Sequence, residues 1–260
     1  MTLRRLASTL LVGAFLFLFA GNAEAAASCS LNGAVAYGTG NGTNIGTVTV
    51  AATWTITDAT NQVAIFLLSV DNTGTDYNFT GTWGAGDAQT DTQFAEIGTV
   101  AATGIYTKIS YIVNPDAGSA YNFIANWGAN RGWRVSLLVC NDVDTGGIFD
   151  TADIVTASDA DITTGSAVAC ASGDYVIGLA SWDNRSTVSA NFSADQLVES
   201  NADGAIWHGV AGNACSASPV SFTATAAGTN NSALITVNIN QAAAAGGSVP
   251  QMMLLGIGAN

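Results

Sequence analysis

Apolar and hydroxyl-bearing residues alternate with a period of two along much of this chain, and that alternation constrains the fold more than any other feature. In residues 47–57, Val48, Val50, Ala52, Trp54 and Ile56 fall on one side, and the other side is mostly threonine. Such a segment can bury one face only as a β-strand, because successive side chains of a strand point to opposite faces. The 3.6-residue recurrence of an amphipathic helix is almost absent. Residues 62–70 are a near-continuous apolar run, which reads as a central strand.

Further strands are expected at 77–83, 94–100, 105–113, 120–127, 133–140, 166–170, 174–182, 205–207, 220–226, 233–240 and 252–257, separated by Gly, Asn and Asp clusters. Asp71-Asn72-Thr73-Gly74 reads as a break and Asn114-Pro115-Asp116-Ala117-Gly118 as a turn. Residues 141–164 read as an acidic loop. Residues 166–170 and 174–182 read as a hairpin around Ala171-Ser172-Gly173. Many short strands with frequent turns predict an all-β fold, an antiparallel two-sheet β-sandwich of jelly-roll type, with a closed barrel as the rival. No linker, Pro-rich hinge or clear repeat divides the chain, so residues 26–260 are expected to form a single domain. Residues 252–257 read either as a last core strand or as an edge strand offered to a neighbour.

The N-terminus carries a different pattern. Arg4 and Arg5 precede an apolar run from Leu6 to Ala20, and Ala23-Glu24-Ala25-Ala26 follows. This is the three-part form of a secretory signal peptide over residues 1–25, cut after Ala25. Twin-arginine export and lipidation at Cys29 are weaker readings of the same stretch. The run is short for a membrane span and no second one appears later, so no transmembrane span is expected. The implied setting is secreted, extracellular or at a cell surface.

Composition narrows the partners. Of 260 residues, 48% are hydrophobic and only 10% charged, against about 25% charged in ordinary soluble chains. The surface must therefore be built mainly from Thr, Ser, Asn and Gly. The net charge is −13, and removal of residues 1–25 makes it one unit more negative. Such a chain is repelled by nucleic acid and by anionic lipid. Neutral glycans, copies of itself and cations fit better. Lys108, Arg131, Arg134 and Arg185, the basic residues after the signal, are expected in ion pairs with aspartates. Cys29, Cys140, Cys170 and Cys215 in an exported chain read as disulfides. Of the possible pairings, Cys140–Cys170 and Cys29–Cys215 are favoured, because Cys140 ends one strand and Cys170 lies on the next expected one.

Four blocks carry a resemblance. They are residues 64–70 (Ala64-Ile65-Phe66-Leu67-Leu68-Ser69-Val70), 110–118 (Ser110 to Gly118), 136–144 (Ser136-Leu137-Leu138-Val139-Cys140-Asn141-Asp142-Val143-Asp144) and 171–177 (Ala171 to Ile177). In order and spacing they resemble exported β-sandwich domains of bacterial surface proteins and phage-associated virion proteins, similar to concanavalin or laminin-G-like jelly rolls. The resemblance implies a fold and an extracellular setting. It carries no catalytic residue. Cys140 and Asn141 depart from the hydroxyl or aromatic residue usual before the turn in that family.

Candidate chemistry is sparse. Asp142, Asp144, Asp150, Asp153, Asp159 and Asp161 crowd the acidic loop, and Asp142-Val143-Asp144-Thr145-Gly146 echoes the start of a calcium loop. It lacks the bidentate Glu that completes such a loop, and a solvated acidic loop is the simpler reading. Asp142, Asp144, Asp150 and Asp153 are nevertheless the candidate metal ligands, and calcium the one cofactor they would suit. Trp83 and Trp127, each followed by Gly near a turn, are the candidate exposed pair for stacking on sugar rings, although most tryptophans of a sandwich are core. His208, the single histidine, has Ser216 and Asp203 near it in sequence. Neither a Gly-x-Ser-x-Gly elbow nor a His-Glu-x-x-His helix accompanies it. A glycosidase pair would have to come from Glu96, Glu199 or the aspartates Asp76, Asp87 and Asp91.

These features order the functional expectations. First is an exported, non-enzymatic structural or surface protein, such as a coat, filament, matrix or virion-associated subunit. The alternative is a glycan-binding or adhesion module, with calcium assistance through the acidic loop. A glycoside hydrolase or esterase comes last.

Overall fold

A computed structural model describes residues 25–39, 48–57, 59–72, 80–84, 95–102, 104–126, 132–157, 161–163, 167–183, 191–192, 195–200, 206–225 and 231–243. The expected signal peptide, Trp127 and the apolar segment 252–257 lie outside them. Residues 26–242 form one compact unit, and every described element of regular structure is a β-strand.

Two large antiparallel sheets pack face to face, as the period-two pattern predicts. The first contains β1 (Ser28–Leu31), β2 (Ala36–Thr39), β4 (Val63–Asn72), β6 (Ala95–Ala102), β7 (Gly104–Val113) and β9 (Gly132–Asn141). Its order is β1-β9-β4-β7-β6, with β2 also paired to β9. The second contains β10 (Phe149–Ala157), β12 (Tyr175–Asp183), β14 (Gln196–Ser200), β15 (Ile206–Ala214) and β17 (Ser232–Ile239), in the order β10-β17-β12-β15-β14.

Smaller sheets cover the outer faces. β3 (Val48–Thr55), β5 (Thr80–Gly84) and β8 (Ala120–Asn126) lie over the first sheet. β11 (Asp161–Thr163), β13 (Asn191–Phe192) and β16 (Thr223–Thr225) lie over the second.

The apolar runs follow from this layering, because the central strands have no solvent face. On β4, Val63, Ile65 and Leu67 enter the layer between the two large sheets, whereas Ala64, Phe66, Leu68 and Val70 pack outward with Trp54 and Trp83. On β12, Ile177 and Leu179 face the central layer, and Val176, Ala180 and Trp182 pack outward with Trp207 and Phe222. Each Val, Leu, Ile or Phe side chain so removed from water contributes about 1.5–3 kcal/mol before the entropy of ordering is counted.

Several local expectations are corrected. Most of the expected acidic loop is strand: β10 spans nine residues and β11 follows it. Its period-two signal is diluted by Asp150 and Asp153, which suit an edge. Val168 bridges Val220, so residues 166–170 and 174–182 do not form a hairpin. Asp71 and Asn72 continue β4 instead of breaking it.

The disulfides join Cys29 to Cys140 and Cys170 to Cys215, which overturns the expected pairing. Cys29 lies directly opposite Cys140 in the β1–β9 register. Between Cys140 and Cys170 the chain leaves the first sheet and builds β10 in the second, so neighbours in sequence are not neighbours in space.

The exposed edges of the large sheets are blunted. Register shifts interrupt the pairing of β6 between Glu96 and Gly98, of β10 between Phe149 and Ala152, and of β14 between Gln196 and Val198. On the remaining edge, β1 and β2 are only four residues each. Bulged, acidic or short edges resist pairing with another chain.

Asp174 fastens the turn that leads into β12. Its carboxylate accepts hydrogen bonds from Ala171 N at 2.8 Å, Asn238 Nδ2 at 3.0 Å and Gln241 N at 2.9 Å. Next to it, Gly173 sits at φ +99, and its carbonyl accepts from Ala27 N at 2.8 Å. Replacing Asp174 by alanine strands three donors at a site only 7% exposed. The expected loss is about 3 kcal/mol, read as a lower urea midpoint with the slope unchanged. An unchanged midpoint would contradict this role.

Candidate functional site

Among the described residues, a closed network between the large sheets and an open hollow at one margin each gather polar side chains.

The closed network is centred on His208. Its position on β15 has the same parity as Ile206 and Val210, so its ring enters the central layer. Nδ1 lies 2.8 Å from Ser69 Oγ on β4, and Nε2 lies 2.9 Å from Ser136 Oγ on β9. Ser69 Oγ is in turn 2.5 Å from Ser181 Oγ on β12. The four side chains thus link both large sheets.

A neutral ring satisfies this arrangement in either proton order. One nitrogen donates to its serine while the other accepts from its own, and Ser181 completes the chain. Burial, reinforced by the nearby Arg134 guanidinium, pushes the imidazole pKa down to about 3. Arg134 is itself buried, lies opposite Ser69 in register, and carries its guanidinium carbon 5.4 Å from the centre of the exposed Tyr37 ring.

A Ser–His pair is the chemistry of a nucleophile and its base. Here, however, His208 and Ser69 are 0% exposed and Ser136 is 1% exposed, so the network as folded is closed to solvent. What it does in this geometry is tie two sheets together. Ser216, the sequence neighbour considered for His208, is not among its partners, and Asp203 lies outside the described residues. The signal that could have found the network is parity: Ser69, Ser136, Ser181 and His208 each interrupt an apolar run at an inward-facing position.

The open hollow has a volume of about 280 Å³ and is lined by Ser30, Asn32, Thr55, Thr57, Ala59, Gln62, Val139 and Asn141. Gln62 and Val139 are buried and form its floor, and Ser30, Thr55, Thr57 and Ala59 are exposed around its rim. Gln62 Nε2 donates to Thr57 O and to Asn141 Oδ1, each at 2.9 Å, and Asn32 Nδ2 donates to Thr55 O at 2.9 Å. Among the described lining residues none is ionisable.

The expected site residues fall elsewhere. Trp83 is not an exposed platform. It is 1% exposed, donates Nε1–H to Asp116 O at 3.2 Å and packs 5.6 Å from Phe66 between ring centroids. Gly84, which follows it, belongs to a short strand of the covering sheet rather than to a surface turn.

The candidate metal ligands are not gathered. Asp142 takes a left-handed φ of 57, and Asp144 Oδ1 accepts from Gly146 N at 2.9 Å to close its own turn. Asp150 and Asp153 are carried away along β10. Among the described residues, no three His, Cys, Asp or Glu side chains cluster as metal ligands would.

The chain matches no protein-family model, no curated protein sequence and no solved structure. Among the described residues, no helix is long and apolar enough to cross a membrane.

Proposed function

We propose that this chain is an exported, non-enzymatic structural protein, a subunit of a coat, filament or matrix at a cell or virion surface. The observation that carries this reading is covalent: all four cysteines are consumed in two disulfides that fasten the margins of a layered β-stack. Such bonds persist in oxidising compartments, and the N-terminal pattern of Arg4, Arg5 and the apolar run is suited to delivering the chain there. A low-charge exterior favours packing among copies. Because the described edges of the large sheets are blunted, the association we envisage uses sheet faces or the chain ends rather than those edges.

The test is solution mass by size exclusion with light scattering, across concentration, in calcium and in chelator. Ordered oligomers or filaments are expected, and calcium dependence would place a cation at the contact. A strict monomer at high concentration in both buffers would remove the reading.

A second reading, a glycan-binding module, is favoured by one observation, the hollow whose described lining is neutral and whose amides are fixed.

A further inference from the structure

We propose that the hollow formed by Ser30, Asn32, Gln62, Val139 and Asn141 is a binding site for one ring of a neutral saccharide, with the Cys29–Cys140 disulfide as its brace. The proposal rests on the second reading above and gives it a site different from any tryptophan platform.

Selectivity follows from the lining. At about 280 Å³, the hollow lies near the lower end of small-molecule sites, about 300–1,000 Å³, which suits one ring or a chain end. A charged ligand would lose hydration here and meet no counter-charge among the described lining residues. An apolar ligand would strand the side-chain amides. A neutral polyol offers both donors and acceptors, and the buried Val139 on the floor gives its C–H face an apolar contact.

The polar groups are also held in place. Both Nε2 hydrogens of Gln62 are committed, to Thr57 O and Asn141 Oδ1, which fixes that amide and leaves its Oε1 as an acceptor. Asn32 is pinned through Nδ2, leaving Oδ1. Asn141 accepts through Oδ1, leaving its Nδ2 hydrogens as donors. Two acceptors and a donor group on one small surface would grip adjacent hydroxyls with little ordering cost on the protein side.

The brace is a matter of parity. Cys140 belongs to the central core with Cys29 packed against it, so their sequence neighbours Ser30, Val139 and Asn141 take the opposite face of β1 and β9. The crosslink therefore holds the two strands of the hollow from beneath.

The experiment titrates the ¹⁵N-labelled protein with glucose, galactose, mannose and N-acetylglucosamine, and with glucuronate as a charged control, following the side-chain amide signals of Asn32, Gln62 and Asn141. Saturable shifts at these amides with a neutral sugar, and weaker shifts with glucuronate, are expected. Asn141→Leu should weaken that binding about tenfold, the effect of one lost hydrogen bond. Thr57→Arg, a rim substitution that leaves the floor intact, should block it. Glucuronate binding as well as the neutral sugars, or either variant binding as the parent does, would overturn the site. Retention on a polysaccharide column without shifts at these amides would overturn the site and keep the module reading. No shift and no retention would overturn both.

Discussion

Replacing Cys29 and Cys140 together by alanine is expected to lower the unfolding free energy by about 5 kcal/mol. The crosslink spans a sequence separation of 111 residues, so its removal returns a large loop entropy to the unfolded chain. The Cys170–Cys215 pair spans 45 residues, and its removal is expected to cost about 4 kcal/mol by the same argument. The first loss also has a native-state part. Cys140 is fully buried in the central layer with Cys29 packed on it, so truncation leaves a poorly filled space there. A loss of this size is a large share of a typical domain's stability of about 5–15 kcal/mol. Denaturant midpoints of the parent and both double variants, with their slopes, measure it. A Cys29/Cys140 variant unfolding at the parent's midpoint would sink the argument. The same variant should also lose the saccharide shifts, because β1 pairs with β9 through only four residues once the bond is gone.

The strands that were legible in the sequence are those with a strong burial pattern. β4 read as a near-continuous apolar run because it is covered on both sides, and β3 showed its alternation openly through Val48, Val50, Ala52 and Trp54. β10 did not, because it is an edge: Ile154 remains 44% exposed and the aspartates that guard it look like a loop. Trp83 misled for a related reason. A glycine after an aromatic suggests a surface turn, whereas here Gly84 belongs to a strand packed over the first sheet, and sequence does not say which face of a sheet is covered by another.

The disulfide pairing depended on register between β1 and β9, which are far apart in the chain. The hollow was illegible in the same way, since no single Asn, Gln, Ser or Thr in it differs from dozens of others. The His208 network was the part that sequence could have revealed. A lone polar residue at the inward parity of an apolar strand must find a partner, and Ser69, Ser136 and Ser181 are such residues facing His208.

That network makes the stability of the fold sensitive to acid, and the sign follows from where the proton binds. In the unfolded chain His208 titrates near its ordinary value of 6.5, but in the folded protein only at about 3. Between these values the unfolded state takes up a proton that the native state refuses. The contribution of His208 is therefore complete above pH 6.5, declines as pH falls, and levels off below about pH 3. Over the whole window the loss is about 4–5 kcal/mol, a slope of about 1.4 kcal/mol per pH unit. The quantity that isolates this contribution is the difference between the parent and His208→Gln, which keeps an amide in the layer and removes the titration. The parent's unfolding free energy, measured by urea at intervals from pH 7 to pH 4, should fall more steeply than the variant's by that slope. Parallel lines would mean that His208 is protonated in the folded state, or reached by water, and that the serines and Arg134 do not hold it neutral between the sheets.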